Sequence, residues 1–574
     1  MNAPHQAHLG AMTSPFASKL GTNYCPLDDE VLQIRALLVE PLSRLKRLDD
    51  QIADLQKAID ELAQERESVR TLVDSHMELI SPFRRLPLDI IQEIFVACLP
   101  THRNCVMSAV EAPVLLGRIC SSWRAISLTT PRLWSRLHIV EPLSPALAGG
   151  SSASDRAIFE EKLAQRLKTT KIWLGRAGQR PLSISLQGNW EQPHGDVNDA
   201  PVPKTPLFIE AIIPFASRWE NIILRASATV LNMLSSLTED DVPLLQRLEI
   251  SPHPGITTPR LQQLTALLCA PRLIDLTFGG SHANTQNLPI RWENLTHLSL
   301  TSYNDSSLTC PIALQLLVRC SQLQFCSFNF NQHDTLPLVD GVGSTIELPC
   351  LHSLYISSVG LPVNGIGNML RRLSVIGLRH LHLRGELDIG LENLFVTNLL
   401  TFLGVSLCFE TLKIGTLAFT TYSLTELLRG LPVSTTCLHI VDGHSWGFSR
   451  GGGILHDDAI AVLTPTPENP GSCPALQELH ITHCRSPSDA MLLRFINARM
   501  AASASTLKKV VIKFGREMQV DIAQDIQHFL DDGRLMVITT YTQTQSKAVG
   551  SFSPWQGLPD APELAEWAHT MDDF

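Results

Sequence analysis

Charge is scarce in this chain, and a basic excess is missing altogether. Only 18% of its 574 residues are Asp, Glu, Lys or Arg, and the formal net charge is −10. A surface that neutralises phosphates needs clustered Lys and Arg, so the charge balance argues against nucleic acid as a partner. No run of about eighteen apolar residues occurs, so no membrane-spanning helix is expected. The opening stretch, MNAPHQAHLGAMTSPF, has neither a basic start nor an apolar core and does not read as a secretory leader. Thirteen cysteines are scattered from Cys25 to Cys484 without a CxxC pair. That argues against a disulfide framework or a zinc ribbon, and for free thiols in a reducing compartment, cytoplasmic or nuclear or both. What the chain does have is apolar content. Hydrophobic residues make up 44%, in a chain too long for one compact core.

Residues 1–27, rich in Ala, Ser and Pro, read as a disordered tail. From Asp28 the pattern changes. Leu45, Leu48, Ile52, Leu55, Ile59, Leu62, Arg66, Val69 and Val73 alternate in steps of three and four. This predicts a coiled-coil helix over 28–78, with Leu45, Ile52, Ile59, Arg66 and Val73 at the a positions. Leu48, Leu55, Leu62 and Val69 stand at d, and Ile at a with Leu at d suits a parallel pair. Pro41 is expected to separate a short first helix from this one. Two occupants fit the seam: a second copy of the chain, making a homodimer through 45–73, or the chain's own core.

Residues 81–137 hold three short apolar helical runs. The first follows Leu86-Pro87 and carries Ile90, Ile91, Ile94 and Phe95; Pro87 fits a first turn, where a missing N–H costs nothing. The second holds Leu115, Leu116, Ile119, Cys120 and Trp123, and the third Pro131, Leu133 and Trp134. Helices this short bury little surface alone, so part of the apolar face is expected to await a partner.

In order and spacing these residues resemble the F-box family. Its LP-x-[ED]-[IL]-[IL]-x-x-[IL]-[FL] element is matched by Leu86 to Phe95, its V/I-C-x-x-W by Ile119-Cys120-Ser121-Ser122-Trp123, and its P-x-L-W by Pro131-Arg132-Leu133-Trp134. The resemblance implies docking on a Skp-family adaptor and, through it, a cullin. Leu86, Pro87, Ile90, Ile91, Ile94, Phe95, Ile119, Trp123 and Trp134 would form the docking face and its supports. One departure is the insert 100–113 between the first two helices.

After an irregular connecting region, 138–206, a phrase recurs: apolar, two others, apolar, one other, apolar. It reads Trp219/Ile222/Leu224, Leu245/Leu248/Ile250, Leu273/Leu276/Phe278, Leu295/Leu298/Leu300, Leu323/Cys326/Phe328, Leu351/Leu354/Ile356 and Leu378/Leu381/Leu383. It continues as Phe409/Leu412/Ile414, Leu438/Ile440, Leu476/Leu479/Ile481 and Leu507/Val510/Ile512. From Leu224 to Leu383 the last positions fall 22 to 28 residues apart, inside the roughly 20–29-residue period of leucine-rich repeats. Two apolar residues separated by one point the same way on a strand, and stacked units line a concave face with strands. The expected fold is α/β: a leucine-rich-repeat solenoid over 207–541, preceded by a small three-helix F-box domain and the coiled-coil helix. An acidic tail, 542–574, closes the chain.

An F-box followed by such repeats resembles the substrate receptors of cullin–RING ubiquitin ligases. The family implies a non-catalytic subunit whose repeats hold the protein to be ubiquitinated. The contact residues would be those between strand anchors: Glu249, Thr277, Ser299, Ser327, Tyr355 and His382. A non-degradative interaction scaffold is the alternative. No cofactor, metal or catalytic residue is expected. Gly443-His444-Ser445-Trp446-Gly447 matches the G-x-S-x-G elbow of serine hydrolases, yet the Gly-rich stretch after it is a poor start for the helix that elbow requires. His480, His483 and Cys484 are ligand types, but the two histidines fall on opposite faces of a strand and no second half with zinc spacing exists.

Overall fold

Each repeat phrase becomes one strand, and its paired apolar anchors decide which way the strand faces. The structure is a computed structural model. It describes residues 14–80, 82–142, 152–188, 204–227, 231–251, 264–280, 285–301, 308–331, 345–386, 392–442, 453–466, 468, 471–501, 505–541 and 558. Two compact units divide the chain, Met1–Ile91 and Gln92–Phe574.

The first unit is dominated by helix α1 (Asp28–Leu79), 52 residues long and so about 80 Å at about 1.5 Å per residue. It runs through Pro41, so the expected break is absent. An interior proline removes one hydrogen bond and costs about 3 kcal/mol; the Leu, Arg, Lys and Gln on either side are strong helix formers and carry the backbone past it. Residues 14–27 are also less irregular than their composition suggests. Ala17–Lys19 form a 3-10 turn. Glu30 accepts from Lys19 Nζ and Tyr24 Oη, both at 2.8 Å, and from the Leu27 amide at 3.0 Å. The Lys19 bond foremost holds the Glu30 carboxyl down at about 2.

Helix α2 (Leu88–Ala97) starts directly after Leu86-Pro87. In the second unit, the run predicted as one helix from Leu115 to Trp123 is two, α3 (Leu116–Ile119) and α4 (Ser121–Leu128). Cys120 is the reason. Its backbone is extended, φ −155° and ψ 171°, and its Sγ accepts the Trp123 amide at 3.4 Å, capping α4. A 3-10 turn, Pro131–Trp134, follows.

The sheet begins immediately. Its strands are β1 (Arg136–Val140), β2 (Leu182–Gln187), β3 (Trp219–Arg225), β4 (Arg247–Ile250), β5 (Asp275–Gly279), β6 (His297–Thr301) and β7 (Phe325–Asn331). A two-stranded side pair, β8 (Ile346–Glu347) with β10 (Leu373–Ser374), flanks β9 (Ser353–Pro362) in sequence. The series then runs through β11 (His380–Glu386), β12 (Thr411–Gly415), β13 (Cys437–Val441), β14 (Glu478–Cys484), β15 (Lys509–Phe514) and β16 (Met536–Tyr541). Apart from the side pair, all fourteen lie in one parallel sheet in strict chain order, as a solenoid-like repeat requires.

Register follows the phrase. The last anchors Leu224, Ile250, Phe278, Leu300, Phe328, Ile356, Leu383, Ile414, Ile440, Ile481 and Ile512 are successive cross-strand partners. Two strands before the first phrase extend the row with Ile139 and Leu186. The anchors are buried under the helices that link the strands, among them Cys310–Leu317, Glu392–Gly404, Thr421–Gly430 and Asp489–Ala501. Where the phrase lacks its first member, ahead of Leu438, Thr435 is buried instead and its hydroxyl donates to the Pro432 carbonyl at 2.7 Å.

The insert 100–113 closes the free edge of β1. Val106 bridges to His138, the His138 amide donates to the Cys105 carbonyl at 2.8 Å, and Asn104 Nδ2 donates to Ser185 Oγ at 3.0 Å. Arg136 holds the Pro100 and Arg103 carbonyls at 2.8 and 2.5 Å. An open parallel edge would present unpaired amides to other chains; here that edge is covered from within.

Candidate functional site

Helix α2 carries two apolar stripes where a surface helix normally carries one. Ile91 and Phe95 stand at i and i+4, Leu99 continues the spacing just past the helix end, and the three are 8, 0 and 8% exposed. Ile90 and Ile94, one residue earlier on the same spacing, are 43 and 38% exposed. The first stripe belongs to the fold. Phe95 packs on Trp123 with ring centroids 4.9 Å apart, and Trp134, also buried, meets Trp173 edge-on at 4.8 Å while its Nε1 donates to the Ser127 carbonyl. The second stripe faces water. Leu88 on α2, and Leu115, Ile119 and Leu128 around α3 and α4, are exposed as well.

The predicted docking residues therefore separate into two groups. Pro87, Ile90, Ile94 and Ile119 are on the surface, with Leu86 and Trp123 half-buried. Ile91, Phe95 and Trp134 are interior and meet no partner directly; an aromatic ring at zero exposure is already fully packed. Leu88, Leu115 and Leu128 were not among the predicted docking residues, though helical spacing could have found them.

The second candidate surface is the sheet face opposite the anchors. Glu249, Thr277, Ser299, Ser327, Tyr355 and His382 are in register with one another across β4, β5, β6, β7, β9 and β11, each half-buried. The row continues into Lys413, His439 and His480. Its chemistry is zoned. At the β4 end, Arg247 pairs with Glu249 at 3.1 Å and with Asp275 at 3.5 Å. In the middle, His297, Phe325, Tyr355 and His382 make a continuous ladder, with centroids 5.7, 5.0 and 5.5 Å apart. Burial foremost, and then Lys413, pushes His382 down to about 3, so that ring is uncharged at neutral pH.

Beyond the ladder the strand register assembles a group that sequence adjacency hid. Cys437 lies beside Glu478, and His439 beside His480. The ligand-type atoms of Cys437, Glu478 and His480 all fall within 4.8 Å of one another. The neighbours in sequence do not join them: His483 sits in a left-handed turn at φ 59°, the register shifts between Ile481 and Cys484, and the Cys484 thiol is buried against the Lys513 carbonyl. Ser445 lies outside the described residues. All thirteen cysteines are free, and among the described residues no helix is long and apolar enough to cross a membrane.

No protein-family model matches the sequence, and no curated protein matches it. Among solved structures the chain is similar to the crystal structure of the Rad7 and Elc1 complex in yeast, with 13% identity and a TM-score of 0.34 over 68% of this chain and 94% of that one. A TM-score that low does not establish a shared fold.

Proposed function

We propose that the chain is the substrate-recognition subunit of a cullin–RING ubiquitin ligase, docking a Skp-family adaptor through an F-box and holding its target on leucine-rich repeats. The observation that carries the reading is the second stripe of α2. Ile90 and Ile94 stay in water while Ile91 and Phe95 complete the fold, and exposed aliphatic side chains beside a packed core are what an interface anchor requires. The chain does no covalent chemistry in this reading; it positions a target.

Ile90→Ala with Ile94→Ala is expected to abolish capture of purified Skp-family adaptor and leave the melting temperature of the protein within a few degrees. Phe95→Ala is expected to differ in kind, costing about 3–5 kcal/mol of stability in denaturant titration. Undiminished adaptor capture by the double variant would sink the docking assignment. The scaffold reading draws its support from α1, whose apolar seam residues from Leu45 to Val73 are all exposed. It predicts that deleting the chain leaves the ubiquitination of its bound protein unchanged.

A further inference from the structure

We infer that Cys437, Glu478 and His480 form a site for one zinc-class divalent ion on the open face of the sheet, with a fourth position left to solvent. Zinc takes thiolate, imidazole and carboxylate together, at bonds of about 2.0–2.3 Å that put ligand atoms about 3.5 Å apart around a tetrahedron. The three donors here already lie within 4.8 Å of one another, so side-chain rotation closes the difference without moving the strands. They sit on rigid backbone: Cys437 and Glu478 are register partners on adjacent parallel strands, and His480 is two residues further along, on the same face as Glu478. All three are half-buried, shielded enough to hold an ion and open enough to admit one.

In the ion-free site a proton makes the bridge. His480 Nε2 lies 3.0 Å from Glu478 Oε2 and donates to it. His439 stands against His480 with ring centroids 5.5 Å apart and the rings tilted by 45°. Two cations flank the site, Lys413 beside His439 and Lys509 beside Glu478. They disfavour a loosely held cation, so occupancy depends on covalent-type Cys–metal bonding rather than on net charge. Burial, and after it Glu478, raises the Cys437 thiol to about 11, with Lys509 opposing. Binding therefore breaks the S–H bond, forms the S–metal bond and releases that proton to solvent, and apparent affinity should climb with pH.

The test uses the full chain, stripped of metal with a chelator. Added cobalt should give one equivalent of tetrahedral absorption together with a sulfur-to-cobalt charge-transfer band, and zinc should displace it. Zinc competition against a chromophoric chelator should show binding at least tenfold weaker in Cys437→Ser and in His480→Gln, with the circular dichroism and melting of the ion-free variants unchanged. Absence of the charge-transfer band in the unmodified protein overturns the site without reference to any variant. Zinc uptake equal in the wild type and both variants overturns it too, since the ion would then be held elsewhere.

Discussion

At the scale of single residues, burial separates side chains that the sequence presents as equals. Ile90 and Ile91 are adjacent and identical, yet one is on the surface and the other in the core, because a helix turns about 100° per residue. Polar residues are sorted the same way. Asp489 is fully buried and accepts from Arg516 Nη2 at 2.6 Å and from the amides of Gln519 and Val520 at 2.7 and 2.9 Å. Burial alone would raise its pKa; Arg516 and the two amides outweigh it and hold the carboxyl below its usual 3.8. A depressed carboxyl stabilises the fold above its unfolded pKa, so this contribution is present at neutral pH and lost as pH falls below about 4. Asp489→Asn should cost about 3–5 kcal/mol at pH 7, because the Arg516 charge loses its partner. It should also flatten the acid limb of a stability-versus-pH curve measured by urea unfolding.

Among the elements, α1 carries the clearest unmet demand. Its apolar seam, Leu45, Leu48, Ile52, Leu55, Ile59, Leu62, Val69 and Val73, is 46 to 65% exposed throughout. The sequence allows two occupants, a second copy or the chain's own core, and the Ile-at-a, Leu-at-d seam suits a parallel pair. The full-length protein is expected to sediment as a dimer, and Leu48→Ser with Leu55→Ser and Leu62→Ser as a monomer with unaltered repeats. A monomeric wild type at micromolar concentration would contradict this. The heptad was legible because its period is local. The continuity of the helix through Pro41 was not, since the outcome depends on the summed propensity of both flanks rather than on the proline.

Across the whole molecule, the exposed stripe of α2 and the outer face of the sheet are formed by different residues, so their functions should separate. Phe325→Ala with Tyr355→Ala, which removes the centre of the aromatic ladder, should reduce retention of a co-purifying target while adaptor capture stays at the wild-type level. Joint loss of both would show that the variant acts on folding. The sequence by itself determined the repeat phrase, the sheet it builds and the face on which each residue between anchors stands, because a strand's alternation has a period of two and needs no distant information. It also determined the apolar helical pattern of Ile90, Ile91, Ile94 and Phe95. Only the tertiary structure decided which stripe meets water, how residues 100–113 close the β1 edge, and that Cys437 stands beside Glu478 and His480 rather than His480 beside Cys484. Those outcomes rest on contacts between residues tens of positions apart, and burial and cross-strand register are properties of the packed chain, not of any local stretch of it.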